Sequence, residues 1–193
     1  MTRIGIIIGS TRPGRNGEQV AAWVRARAEQ HAGDRAAFEV LDLKEFDLPL
    51  LDEPLPALVT PGGKPHTVRW AERAGACDAY IVVTPEYNCG APASLQNAVD
   101  YLYREWTRKA VAYVGYGSFG AVLAVQELRA QAGRLQMADI GPQLALSLRD
   151  DFVDFTKFEP REQHVQELQQ LVDELLAWSA ALEPLRAAAR ASA

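Results

Sequence analysis

Short apolar segments alternate with segments of helical periodicity along the chain, and this alternation limits the possible folds more than any other feature. The apolar segments predict strands, and they are IGIII (Ile4–Ile8), FEVLDL (Phe38–Leu43), AYIVVT (Ala79–Thr84), AVAYVGY (residues 110–116) and QLALSL (Gln143–Leu148). Helices are predicted where apolar side chains recur at helical spacing, at residues 17–31, 66–77, 93–106, 121–135 and 161–182. The chain is therefore a repeat of five β-α units.

A sheet built from such units is predicted to be parallel. Apolar strands separated by helices are typical of a parallel sheet covered on both faces, and right-handed crossovers leave few topologies. We predict an α/β, doubly wound, five-stranded sheet of order 2-1-3-4-5 with helices on both faces. Ligands of such sheets bind at the carboxyl ends of the strands, where the strand order reverses. The loops after Ile8, Thr84 and Tyr116 are therefore the predicted functional loops.

Length and charge limit the class of protein. The 193 residues predict one domain over residues 1–183, followed by an Ala-rich tail at 184–193 that we expect to be flexible. A net charge of −5 with no Lys/Arg run disfavours nucleic-acid binding. No apolar stretch reaches the ~18 residues that a membrane span needs. The chain has only two cysteines and three scattered histidines, which predicts a cytoplasmic protein without a metal site.

The first functional loop, GSTRPGRNGE, is suited to a phosphate group. Glycines permit tight turns, Arg12 and Arg15 supply positive charge, and the helix that begins at Gly17 adds free N–H groups and a favourable dipole. Short side-chain donors come from Ser10, Thr11 and Asn16. We expect a pocket for a terminal phosphate, and the alternative is a plain Gly/Ser turn.

Other ligand classes fit this loop less well. A phosphate-binding Gly-Lys-Ser/Thr sequence and the G-x-G-x-x-G dinucleotide pattern are both missing. Ser10 as an esterase nucleophile is disfavoured because G-x-S-x-G is also missing. A phosphoryl-accepting receiver domain needs an acidic pocket at the ends of strands one and three, and the first of these strands ends in IIIGS.

The second functional loop, TPEYNCGAP, is suited to a flat polar ring. A proline stops the strand, Tyr87 and Asn88 add an aromatic face and an amide, and Gly90 permits a turn. One loop suited to phosphate and one suited to a planar ring together indicate a mononucleotide-like ligand.

At this point the chain resembles a known family. GSTRPGRNG followed by TPEYNCGAPASLQNAVDYL is similar to the flavodoxin-like NADPH-dependent FMN reductases, which include bacterial quinone, azo and chromate reductases. The segments DLPLLDEP and GSFGAVLAVQELR extend the resemblance to roughly residues 3–130. The family implies a flavodoxin-like domain with bound FMN, and a homodimer or a dimer of dimers whose partner chain closes the flavin site.

The resemblance also implies site residues. The FMN phosphate would rest on Ser10, Arg12, Asn16 and Gly17, beside Arg15. The isoalloxazine ring would lie against Pro85, Glu86, Tyr87, Asn88 and Cys89, and the loop after strand four would approach the ring or the ribityl chain through Gly117 and Ser118.

The function that follows is an FMN-dependent NAD(P)H oxidoreductase. Hydride would pass to flavin N5 and then, in ping-pong turnover, to a small acceptor such as a quinone, an azo compound, a flavin or an oxyanion such as chromate. The sequence leaves NADH or NADPH open as the co-substrate. The alternatives are a flavodoxin-type FMN electron carrier without NAD(P)H turnover, and a flavin-free interaction domain.

Some conspicuous residues have competing explanations. Cys89 has no histidine or cation nearby in sequence, which favours a place in the site wall over a nucleophile, and Cys77 is expected to be inert. Arg104 is expected to pair with Asp100 on a helix surface; the alternatives are a phosphate of the nicotinamide cofactor or a partner chain. The aromatic residues Tyr101, Tyr103 and Trp106 favour a subunit interface over core packing.

Overall fold

The structure is a computed structural model that describes residues 1–191. Its strands are β1 (Thr2–Ile8), β2 (Ala36–Asp42), β3 (Ala79–Pro85), β4 (Ala110–Gly117), β5 (Ala138–Ser147), β6 (Phe152–Val153) and β7 (Lys157–Phe158). Its α-helices are α1 (Gly17–Ala32), α2 (Leu43–Phe46), α3 (Pro65–Gly75), α4 (Ala93–Asp100), α5 (Val122–Arg134) and α6 (Gln163–Ala191). Among these residues, no helix is both long and apolar enough to cross a bilayer.

The predicted sheet is confirmed, with five parallel strands in the order β2-β1-β3-β4-β5. Ile6 of β1 pairs with Val40 on one side and with Ile81 on the other. Every residue of β3 and β4 is buried, whereas exposed residues occur along the edge strands β2 and β5. The difference arises because both faces of the central strands are covered by helices.

Helices lie on both faces, as the sequence predicted. One core layer packs α1 and α6 against the sheet, with Val24 and Val172 among its buried residues. The other layer packs α3, α4 and α5 against the opposite face, with Trp70 and Leu128 among its buried residues. This doubly wound arrangement leaves the carboxyl ends of β1, β3 and β4 open for a site.

The helix predicted at residues 93–106, which is α4 in the structure, is shorter than expected. α4 ends at Asp100, and residues 101–109 form turns. These turns direct both Tyr101 and Trp106 into the core, where they are 1% and 2% exposed, so the interface prediction is wrong for these two residues. The Trp106 ring lies 5.0 Å from that of Tyr80. Among residues 1–191, no ion pair joins Asp100 to Arg104, because α4 does not continue between them.

The carboxyl-terminal part also differs from the prediction. β5 begins at Ala138, five residues before the expected start, and its pairing with β4 shifts register between Val111 and Tyr113. α6 continues to Ala191, so most of the expected tail is helical, and residues 192 and 193 lie outside the described residues. Alanine favours helix, and buried Arg186 donates a hydrogen bond to the Ser179 carbonyl at 2.9 Å.

Candidate functional site

Three loops meet at the carboxyl ends of β1, β3 and β4. We call residues 9–16 the first loop, residues 86–92 the second loop and residues 118–121 the third loop. The first two loops are in direct contact, because the hydroxyl oxygens of Ser10 and Tyr87 lie 2.8 Å apart. The segments predicted to bind phosphate and a planar ring are therefore neighbours in the structure.

Arg15 supports the first loop from within the protein. Its guanidinium donates to the Ser10 carbonyl oxygen at 2.5 Å and forms ion pairs with Asp42 at 2.5 Å and Glu18 at 2.7 Å. The Arg15 side chain is only 2% exposed. Its charge is therefore already matched by two carboxylates, and its geometry ties the first loop to the end of β2.

The beginning of α1 has the features of an anion site. Asn16 precedes the helix but does not cap it, because its amide donates instead to the Phe155 carbonyl at 2.9 Å. The Arg12 side chain is exposed and forms no ion pair with any of residues 1–191. Uncapped amides at a helix N-terminus, next to a cation without a partner, favour a bound anion. These residues fit a phosphate group.

The second loop contains a tight two-residue turn. Tyr87 and Gly90 exchange backbone hydrogen bonds of 3.0 and 3.2 Å. Asn88 and Cys89 between them have φ angles of 52° and 68°, which is the pattern of a type I′ turn. Cys89 is exposed at the turn, as a residue in the wall of a site would be. Cys77 is buried elsewhere in the core, and this burial raises the pKa of its thiol to about 11.

Two carboxylates hold the second loop against α5. Glu86 accepts hydrogen bonds from the amides of Leu123 and Ala124, at 2.9 and 3.1 Å, and so caps the first turn of the helix. In return, Glu127 of α5 accepts from the Ala91 amide at 2.9 Å. The Glu86 side chain, expected from the sequence to contact the ligand, is engaged in positioning the loop.

The third loop turns sharply because glycines allow close backbone contact. A Cβ on Gly120, which has a φ of 66°, would lie 2.6 Å from that of Ala145. Gly117 is buried at the end of β4, and Ser118 and Phe119 are exposed beyond it. The loop therefore presents its polar and aromatic side chains outward, beside the second loop.

Sequence reasoning did not single out Tyr116 as a site residue. This tyrosine is a buried residue of β4 directly before Gly117, and its hydroxyl has no hydrogen-bond partner among the described residues. A tyrosine directly before the third loop was the only signal available in the sequence, and a strand tyrosine is more often a core residue.

The fold and the site define the class of the protein. A five-stranded parallel sheet of this order, with two loops in contact at its switch point, defines a flavodoxin-like α/β protein. The structure of FerB, a flavoenzyme NAD(P)H:(acceptor) oxidoreductase from Paracoccus denitrificans, has this fold, with a TM-score of 0.73. The two chains are 22% identical, and the match covers 94% of this chain and 98% of FerB.

Sequence comparison then gives the family. The family model described as NADPH-dependent FMN reductase matches residues 2–151, so the chain belongs to that family of flavin-using oxidoreductases. An NAD(P)H-dependent FMN reductase of Nectria sp. is 38% identical over 132 residues, which are 66% of each chain. A quinone reductase of Pseudomonas putida is 31% identical over 134 residues, which are 64% of this chain and 67% of that protein.

Proposed function

We propose that the protein is an FMN-dependent NAD(P)H oxidoreductase that reduces small acceptors. The observation that carries this proposal is the 2.8 Å contact between Ser10 and Tyr87, because the first loop, which is suited to an anion, then lies beside the second loop, which is suited to a flat ring. A phosphate and a flat ring joined by a short chain would span these two loops. The family match supports FMN as that ligand.

In this proposal the first loop binds the FMN phosphate. Arg12 and the first amides of α1, beginning at Gly17, bind the anion directly. Arg15 keeps the loop in place, since its guanidinium is already bonded to Ser10, Glu18 and Asp42. Asn16 fixes the end of the loop through its bond to Phe155, and can reach the phosphate only if that bond is exchanged.

The second and third loops hold the ring and the ribityl chain. Pro85 ends the strand beneath the ring, and the turn at Asn88 and Cys89 supplies backbone groups to its edge. Gly117 and Ser118 line the third side. Bound FMN would supply the redox chemistry, with NAD(P)H as the electron donor. The acceptor would bind where the nicotinamide cofactor had been, and this order of binding predicts ping-pong kinetics. No side chain of this chain is required as an acid or base.

A neutral aromatic acceptor, such as a quinone, is the substrate class that we favour. Phe119 is 81% exposed on the third loop and Tyr87 is 36% exposed on the second, so the outer side of the site is aromatic. The relationship to a quinone reductase supports the same class. Azo compounds, free flavin and chromate are further acceptors to be compared with it, and NADH with NADPH as donors.

Reconstitution with FMN tests the function. The holoprotein should absorb near ~450 nm and oxidise NADH or NADPH with a benzoquinone, giving parallel double-reciprocal lines. FMN binding without NAD(P)H oxidation by any acceptor would instead indicate a flavodoxin-type carrier. No binding of added FMN would indicate an interaction domain.

A matched pair of arginine variants tests the phosphate site. Arg12→Ala should weaken FMN binding about tenfold, because a charge-assisted hydrogen bond is lost. Arg25→Ala is the control, since Arg25 is exposed on α1 and pairs with Glu29 at 2.8 Å. Equal FMN affinity in both variants would contradict the role given to Arg12.

We further propose a cytoplasmic homodimer or dimer of dimers. The connection between α2 and α3 exposes several large apolar side chains, namely Leu50, Leu51, Leu55, Leu58 and Val59, which supports burial against another chain. Light scattering on the purified holoprotein measures the mass directly. A monomeric mass at micromolar concentration would contradict this part of the proposal.

A further inference from the structure

The hydroxyl of Tyr116 is a buried polar group beside Gly17, the residue that follows the first loop. The residue is 5% exposed, and its hydroxyl oxygen has no hydrogen-bond partner among residues 1–191. A buried hydroxyl without a partner costs free energy that the same ring without the oxygen would not. Such groups are rare in folded proteins and indicate a missing partner.

The position of this hydroxyl is set by Gly17. A Cβ on Gly17 would lie 2.9 Å from the Tyr116 oxygen, so only glycine at the start of α1 leaves room for the hydroxyl. Phe152 packs beside the tyrosine ring, at a centroid distance of 6.4 Å. The hydroxyl therefore lies at the uncapped N-terminus of α1, where the first-turn amides favour an anion.

The electrostatic surroundings are those of the same anion site. Burial, with a smaller contribution from Tyr87, raises the pKa of Tyr116. The positive charges of Arg15 and Arg12 and the nearby backbone N–H of Gly17 offset only part of that rise, and that N–H, itself a donor, leaves the tyrosine O–H without an acceptor. The hydroxyl accordingly remains protonated at neutral pH and has a hydrogen-bond donor to offer. The dianion of a phosphate monoester has only hydrogen-bond acceptors, which makes it a suitable partner for this donor.

We propose that Tyr116 donates a hydrogen bond to the phosphate monoester held by the first loop, and that it makes the site select FMN over riboflavin. This inference rests on the proposed function. Tyr116 would form the buried floor of the phosphate site, while Arg12 and the α1 amides bind the phosphate from the exposed side. Its contribution would be absent for a flavin that has no phosphate.

Tyr116→Phe tests the proposal because it removes only the hydroxyl. FMN should bind about tenfold more weakly to the variant, whereas riboflavin affinity should change less than about twofold. The flavin-free variant should unfold at the same or a higher temperature than the wild type, since an unpartnered buried hydroxyl is lost. A residue with a purely structural role would not separate FMN from riboflavin.

Tyr113→Phe is the matched control. Tyr113 is on the same strand and is 2% exposed, but it lies on the opposite face, where Arg129 is 5.4 Å above its ring. This variant should keep the wild-type ratio of FMN to riboflavin affinity. Inorganic phosphate provides a flavin-free probe: it should raise the melting temperature of the wild type and of Tyr113→Phe more than that of Tyr116→Phe.

Two results would overturn the inference. One is unchanged FMN affinity in Tyr116→Phe, and the other is an equal loss for FMN and riboflavin. A wild-type protein that fails to bind FMN would contradict the proposed function, and the inorganic phosphate measurement would then decide the role of Tyr116 independently. Equal stabilisation of the wild type and Tyr116→Phe by phosphate would count against that role.

Discussion

The hydroxyl groups of Ser10 and Tyr87 lie 2.8 Å apart and join two loops that are 77 residues apart in sequence. Ser10 is completely buried, and its hydroxyl oxygen also accepts a hydrogen bond from the Arg12 amide at 3.3 Å. Tyr87, by contrast, is partly exposed at the edge of the second loop. One hydrogen bond thus links the phosphate side of the candidate site to its ring side.

We expect this pair to be energetically coupled. Ser10→Ala and Tyr87→Phe each remove one partner, and each should lower the free energy of unfolding by about 1 kcal/mol. The double variant should cost less than the sum of the two, with a coupling of about 0.5–1.5 kcal/mol. Urea unfolding of the four flavin-free proteins measures this cycle. Additive costs would show that the contact contributes nothing of its own.

Replacing Cys89 by glycine should stabilise the protein. Cys89 has a φ of 68°, in the left-handed region, where a side chain is unfavourable and glycine is preferred at this position of a type I′ turn. We expect Cys89→Gly to raise the free energy of unfolding by about 0.5–1 kcal/mol, after allowing for the greater entropy of glycine in the unfolded chain.

Asn88→Gly is the control for that prediction. Asn88 has a similar φ of 52°, but asparagine tolerates this conformation, so the gain should be smaller. If Cys89 is part of the site wall and not a nucleophile, Cys89→Gly should also keep NAD(P)H oxidation. Loss of turnover with FMN still bound would contradict that assignment.

Glu86 should contribute to stability by capping α5. Glu86→Ala leaves the amides of Leu123 and Ala124 without their acceptor, and we expect a loss of about 1 kcal/mol in denaturant unfolding. Glu86→Gln keeps an acceptor oxygen and should lose less, because only the charge interaction with the helix dipole is removed. An equal loss in the two variants would show that charge, and not the hydrogen bonds, is what matters.

The stability of the protein at acid pH should depend on Asp151. This carboxylate is fully buried at the base of the β6–β7 hairpin, and it accepts hydrogen bonds from Ser147, Arg161 and His164 at 2.7, 3.0 and 2.9 Å. Burial alone would raise the pKa of Asp151. The hydrogen bonds from Arg161 and from the Ser147 amide outweigh it and hold that pKa below its usual value.

The sign of the pH effect follows from this lowered pKa. The stabilisation is complete above the unfolded pKa of about 3.9 and is lost as the pH falls below it, through the folded pKa. We expect the melting temperature to fall less steeply for Asp151→Asn than for the wild type as the pH is lowered from about 6 to about 3. Some decline should remain, since Lys64, together with Tyr101 and His66, lowers the pKa of Asp52 to about 2. An unchanged slope would contradict the role of Asp151.

The sheet order and the two site loops were predictable because they depend on local patterns. Apolar runs such as IGIII and AYIVVT mark strands with both faces covered, and Gly and Pro residues mark the turns that follow them. The lengths of α4 and α6 were not predictable in this way. Tyr101 and Trp106 continue a helical pattern in sequence, but buried contacts with residues far along the chain favour turns there.

The sequence by itself determined the alternation of strands and helices, the topology that follows from it, and the residue types at the carboxyl ends of β1 and β3. Only the tertiary structure decided which charges and hydroxyls remain available. Arg15 and Arg12 are three residues apart in one loop, yet Glu18 and Asp42, the last residue of β2, pair with Arg15, and Arg12 has no such partner among residues 1–191. Tyr116 is likewise a strand residue in the sequence, and only the tertiary fold places its hydroxyl beside Gly17 at the N-terminus of α1. Partners that are distant in sequence cause these differences, so no local pattern predicts them.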